Sequence, residues 1–131
     1  MKANKCTPAE WQIMEVIWQK QTASVREVLR NLEDQGERKA YTTIQTIMNT
    51  LVKKGLLNAE KTGMVNYYTP TVIRKNMIRT ETRTLLSRIF KGSVPALTSF
   101  LIDSEDISLD DIERIKQSLA EKENKLKDKE K

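Results

Sequence analysis

Apolar residues recur at helical spacing in three successive blocks near the start of the chain. Trp11, Met14 and Trp18, with Ile13 and Ile17 beside them, form a broad stripe that predicts a core-facing helix running to about Lys20. Its start is marked by Thr7-Pro8-Ala9-Glu10. Thr7 caps, Pro8 sits where no backbone donor is needed, and Glu10 returns the bond to the cap. Ser24-Val25-Arg26-Glu27 repeats that logic, and Val25, Val28, Leu29 and Leu32 predict a short second helix ending near Asp34-Gln35-Gly36. A third helix begins around Ala40 or Tyr41 without a strong capping residue. It stops at Lys53-Lys54-Gly55, where cations oppose the negative helix end and glycine accepts left-handed backbone.

The pattern then changes. Leu56 to Lys61 and Val65 to Thr69 flank a Thr62-Gly63 turn, and Val65, Tyr67 and Tyr68 favour strand, so a β-hairpin is expected. Beyond Pro70, a long helix from about Val72 to Phe90 carries Ile73, Met77, Leu85, Leu86 and Ile89. Gly92-Ser93 interrupts it, Val94 to Leu101 forms a short apolar helix, and Ser108-Leu109-Asp110-Asp111 opens a last one through Ile112, Ile115 and Leu119. The charged run from Glu121 to Lys131 is expected to fray into solvent. Three helices followed by a hairpin is the winged-helix order. The fold class is therefore mainly α with a small β-hairpin wing: a winged helix-turn-helix domain over residues 1–71, then a helical region over 72–131.

The third helix has an unusual polar face. Thr42, Thr43, Gln45, Thr46 and Asn49 fall on one flank, while Ile44, Ile47, Met48 and Leu51 fall on another. An ordinary solvated face carries mixed charges, whereas this one is neutral and rich in groups that bond base edges or pack against a thymine methyl. Such faces also occur where nothing binds, so context decides. The formal net charge is +5, and it is unevenly spread: residues 1–90 hold 15 Lys and Arg against 8 Asp and Glu, residues 91–131 hold 8 against 10. The basic half contains the neutral face, which suits a polyanionic partner. Arg38, Lys39, Lys53, Lys54 and Lys61, with the Tyr41 hydroxyl, are the candidate phosphate contacts.

Composition narrows the chemistry. Histidine is absent and Cys6 is the sole cysteine, which leaves no zinc set, no disulfide framework and no Cys-His or Ser-His nucleophile; neither an enzyme nor a cofactor is expected. Cys6 is read as incidental, with a redox role as the alternative. No apolar run approaches a membrane span and no leader pattern is evident, so a cytoplasmic protein is expected. In the last third, Leu85, Leu86, Ile89, Phe90, Leu97, Phe100, Leu101, Ile112, Ile115 and Leu119 lie on helices too short to close a core alone. A second copy would cover them and set two reading helices on one palindromic duplex. A monomeric subdomain folded back on itself is the other solution. A protein-interaction module without specific DNA readout is the alternative function.

Thr7-Pro8-Ala9-Glu10-Trp11 with Met14 and Trp18, Ala40-Tyr41-Thr42-Thr43-Ile44-Gln45-Thr46, Leu51-Val52-Lys53-Lys54-Gly55 and Tyr67-Tyr68-Thr69-Pro70 together resemble the BlaI/MecI/CopY family of penicillinase repressors. The resemblance covers nearly the whole chain. It implies a dimeric winged-helix repressor on a dyad of TACA and TGTA half-sites, with Thr42, Thr43, Gln45 and Thr46 facing the groove. Gln45 and Thr50 depart from arginines common in the family, at positions that bear on operator preference and phosphate contact. In the antibiotic-sensing branch, a membrane-bound sensor metalloprotease relieves repression by cutting an asparagine-phenylalanine bond in the dimerisation region; the corresponding pair here is Ser99-Phe100. The copper-responsive branch carries paired cysteines near its C-terminus, which this chain lacks.

Overall fold

The computed structural model describes residues 5–130. In chain order the elements are α1 (Pro8–Lys20), α2 (Val25–Asp34), α3 (Tyr41–Lys53), β1 (Leu57–Thr62), β2 (Val65–Pro70), α4 (Arg74–Phe90), α5 (Val94–Ile102) and α6 (Leu109–Lys129). The chain divides into two compact units, one ending at Thr84 and the other starting at Leu85, so the division falls inside α4.

Local chemistry explains the first two helix starts. Thr7 and Glu10 form the expected capping box on α1, and Ser24 and Glu27 form another on α2. Ala40 begins α3 with no side-chain cap. The three helices pool their apolar faces: Ile13, Met14 and Ile17 from α1, Val28 and Leu32 from α2, and Ile44, Met48 and Leu51 from α3 are all fully buried. Each such side chain removed from water contributes on the order of 1.5–3 kcal/mol, which fixes the angle at which α3 is presented.

The hairpin closes this core and differs from expectation by one residue. Thr62 pairs with Val65 at the end of the ladder, so the turn is Gly63-Met64 rather than Thr62-Gly63. Gly63 takes φ +65°, the left-handed backbone that a two-residue hairpin loop requires at its first position. A third extended segment, absent from the sequence reading, joins the sheet: Ala23 exchanges backbone bonds with Tyr68 at 3.1 and 2.8 Å. The stretch between α1 and α2 thereby holds the wing at its middle.

The start of α4 is locked to α1. The Trp18 indole donates to the Val72 carbonyl at 2.9 Å. Glu15 accepts a bidentate pair from Arg74 at 2.8 and 3.0 Å and a third bond from the Trp11 indole at 2.9 Å. The Arg74 bond holds the Glu15 carboxyl below its ordinary 4.5, against a smaller opposing effect of burial and with help from Trp11. The folded value is thus lower than the unfolded one. The contribution is complete above the ordinary carboxylate range and disappears as pH falls through the folded value. Thermal melts should therefore show wild type ahead of Glu15→Gln near neutral pH, with the gap closing on acidification. A gap independent of pH would contradict the assignment.

The second unit is differently built. Lys91 and Gly92, both at positive φ, end α4; Ser93 caps α5, and Ser108 with Asp111 forms a capping box on α6. The run from Glu121 onward does not fray: α6 is helical through Lys129. Its Ala, Glu, Lys and Leu residues are strong helix formers, Glu123 and Lys127 pair one turn apart at 3.5 Å, and terminal lysines oppose the helix dipole. Charge density alone misled the expectation. No residue from Leu85 to Glu130 is buried, and Phe100 and Leu119 are 68% and 61% exposed. Among the described residues no single helix is long and apolar enough to cross a membrane.

Candidate nucleic-acid interface

The burial of Ile44, Met48 and Leu51 turns the opposite side of α3 outward. Thr42, Thr43, Gln45, Thr46 and Asn49 are all exposed there, in one row of uncharged hydrogen-bonding groups. Ile47 is half-buried and packs against the core. Thr50 spends its hydroxyl within the helix, donating to the Thr46 carbonyl at 3.0 Å.

Asn49 differs from its neighbours. Its Oδ1 accepts from the Tyr68 hydroxyl at 3.3 Å, which uses one of the oxygen's two lone pairs and leaves the other and the amide N–H groups free. Tyr68 is 2% exposed, and burial, with Tyr41 nearby, raises its pKa, keeping the hydroxyl protonated as a donor. The pair fastens the wing to α3. Asn49 is thus a partner of the wing as well as a member of the exposed row.

The cations also divide. Arg38, Lys53 and Lys61 are exposed and Lys39 half-buried. Lys54, expected among the phosphate contacts, instead donates to Glu10 Oε1 at 2.6 Å and to the Lys5 carbonyl at 3.0 Å. The reason is Glu10, whose side chain is 7% exposed; a carboxylate that far from water needs a counter-charge, and the end of α3 points Lys54 back towards α1 to supply it. Its ammonium is thus engaged by the protein itself, unlike those of Lys53 and Lys61.

Two further arginines complete the surface. Arg26 lies over the Tyr41 ring, 5.4 Å from its centroid, and Arg30 follows one turn later on α2. Both border a cleft of about 470 Å³ that also touches Tyr41, Gln45 and the wing from Met64 to Tyr68. Sequence reasoning passed over both. The signal was present: Ser24-x-x-Glu27 caps α2, which fixes Arg26 in its first turn and Arg30 on the same face.

Cys6 is half-buried, and its backbone N–H donates to Glu81 at 3.2 Å. Burial, reinforced by Glu10 and Glu81 and opposed by Lys54, pushes its thiol up to about 11, so it stays a protonated, weakly nucleophilic group. No cluster of three or more His, Cys, Asp or Glu suited to a metal occurs among the described residues.

Several known proteins are similar to this chain. The family model described as penicillinase repressor matches residues 6–121. The penicillinase repressor of Bacillus licheniformis is 29% identical over 127 residues, covering 97% of this chain and 98% of that protein. The methicillin resistance regulatory protein MecI of Staphylococcus aureus is 26% identical over 121 residues, covering 92% and 98%. Among solved structures, the DNA-binding domain of the repressor BlaI superimposes with a TM-score of 0.51 at 35% identity, covering 57% of this chain and 90% of that one. RosR of H. salinarum has a TM-score of 0.51 at 19% identity over 94% and 98% of the two chains, a likeness of fold alone.

Proposed function

Since the chain belongs to the penicillinase repressor family, we propose that it represses transcription by binding a palindromic operator through α3, as a homodimer joined by its C-terminal helices. It is a sequence-specific DNA-binding repressor and not an enzyme. The observation that carries the reading is the exposed row Thr42, Thr43, Gln45 and Thr46, uncharged and raised on a buried base of Ile44, Met48 and Leu51. Such a row fits the major groove, where each base pair shows its own donors, acceptors and methyl. Arg38, Lys39, Lys53 and Lys61, joined by Arg26 and Arg30, hold the flanking phosphates.

Dimerisation is supported by the lack of any buried residue among the described residues of the second unit: its apolar side chains need a cover that the unit does not itself provide. In this reading residues 1–71 bind DNA and 72–131 join the copies. The same division suits relief by proteolysis in the cytoplasm by a membrane sensor metalloprotease. The Ser99-Phe100 bond lies in α5 with both residues exposed, and cutting it would part α6 from the DNA-binding half.

Gel-shift titration against a TACA/TGTA dyad tests the proposal. Gln45→Ala or Thr46→Ala should weaken the dyad complex by about 1–3 kcal/mol and leave binding to scrambled duplex nearly unchanged. Equal affinity of wild type for dyad and scrambled duplex at one salt concentration would refute specific readout. Weak binding with little salt dependence would favour a protein-interaction module instead.

A further inference from the structure

Asp103, Glu105, Asp106, Asp110, Asp111 and Glu113 place six carboxylates, all exposed, in a stretch that holds no Lys or Arg. Asp110 pairs with Arg114 at 3.1 Å and Glu113 with Lys116 at 3.9 Å, which leaves Asp103, Glu105, Asp106 and Asp111 without a cation among the described residues of the second unit. Asp106 and Asp111 also border a cavity of about 340 Å³ whose other walls include Leu101, Ile107 and Ile115. Arg114 borders it too but is engaged by Asp110. Apolar walls with free carboxylates at the rim suit an arginine from elsewhere: its stem lies on the apolar side while its guanidinium makes forked, charge-assisted bonds.

A surface of opposite sign lies on α4. Lys75, Arg79 and Arg83 recur one turn apart, all exposed, and none has a carboxylate partner among the described residues of the first unit. Arg79 gives one bond to Asn76 at 3.0 Å and keeps its other donors. Glu81, the one acid of α4, is turned to the Cys6 N–H, and Arg74 to Glu15. Those contacts and the burial of Met77 set the inner side of α4 against α1, which packs in turn on α3, so the basic stripe faces away from the reading helix. Its partner is then something other than the duplex held by α3. We propose that, in the homodimer, α4 of each copy lays Arg79 and Arg83 on the acidic segment of the other, with Asp106 and Asp111 as the receiving carboxylates. The homodimer proposed above is the premise, and its two-fold symmetry makes the contact twice. Apolar helix faces attract any comparable face, whereas matched charge admits the right partner and repels a wrong one, so this contact makes the pairing selective for a second copy of the same chain.

The test uses the full chain without DNA, its dimer dissociation constant read by sedimentation equilibrium. Wild-type dimers should loosen by roughly tenfold as salt rises from about 0.05 to about 0.5 M, which an interface of apolar contacts alone would not do. Two charge-reversed chains follow: Arg79→Glu with Arg83→Glu, and Glu105→Arg with Asp106→Arg, the latter sparing Asp111 and its cap on α6. Each alone should dimerise about tenfold or more weakly than wild type, because like charges then meet in both contacts. Mixed together, the two chains should form a heterodimer close to wild type in affinity, since both of its contacts are again of opposite sign. All four positions are exposed, so the folds should persist, which matching melting curves verify. Weakened variants that gain nothing on mixing would place the contact within one chain and overturn the proposal. Wild type that dimerises while ignoring salt and both reversals also overturns it, and leaves the homodimer standing. Half-site binding lost by Arg79→Glu with Arg83→Glu while dimerisation is unchanged would overturn it too, assigning the stripe to DNA. Wild type that stays monomeric at every concentration instead removes the homodimer premise, and this contact with it.

Discussion

Ile115→Glu is expected to convert the protein to a monomer and to weaken its binding to a full dyad by about a hundredfold or more. Ile115 lies in the apolar stripe of α6 with Ile112 and Leu119, and no residue of that helix is buried within the chain. A two-fold interface would bury the new carboxylate twice, without a partner in either copy. Joining two modules raises affinity by roughly 10²–10⁴ over one, and that factor is lost with the interface. Sedimentation velocity reads the first effect. The ratio of dyad to half-site affinity reads the second: it should be large for wild type and small for the variant. Unchanged circular dichroism would show α6 still folded. A variant that stays dimeric with its dyad preference intact would place the joining surface elsewhere.

The second large effect concerns stability. Lys54→Met should destabilise the fold by about 2–3 kcal/mol, visible as a fall in Tm of roughly 10 °C or more. The substitution leaves Glu10, a carboxylate 7% exposed, with the Thr7 N–H of α1's own cap as its one hydrogen-bond donor among the described residues. The figure lies below that for a fully buried pair because Lys54 keeps 27% of its side-chain exposure. Pairing the change with Glu10→Gln should recover most of the loss, a coupling that thermal melts of the four proteins would measure. Lys53→Met, one residue away but exposed, should barely move Tm and instead lower the salt slope of DNA binding by about one. The reverse pattern would return Lys54 to the phosphates.

These two lysines show what the chain reveals when read alone. Both follow the third helix's apolar stripe and both look like cations near a helix end. What separates them is a carboxylate 44 residues earlier, a relation made only by tertiary packing. The same limit hid the Ala23–Tyr68 bridge, since a single pair of backbone bonds leaves no periodicity. Features written within a few residues were legible: both capping boxes, the uncapped start at Ala40, the glycine after α3 and the neutral flank of α3 emerged from spacing and side-chain chemistry. The tail of α6 lies between these cases. Its helix formers were in view, but their charge was given more weight than their propensity.

Tyr68 has one more implication. Its backbone is paired with Ala23, its ring is buried, and its hydroxyl reaches Asn49, so the hairpin cannot swing independently of the helix beside it. A rigid piece of this kind arrives at a duplex already shaped and forfeits little freedom on docking. Encounter should then be governed by charge and diffusion rather than by rearrangement, and good sites should be told from poor ones by residence time.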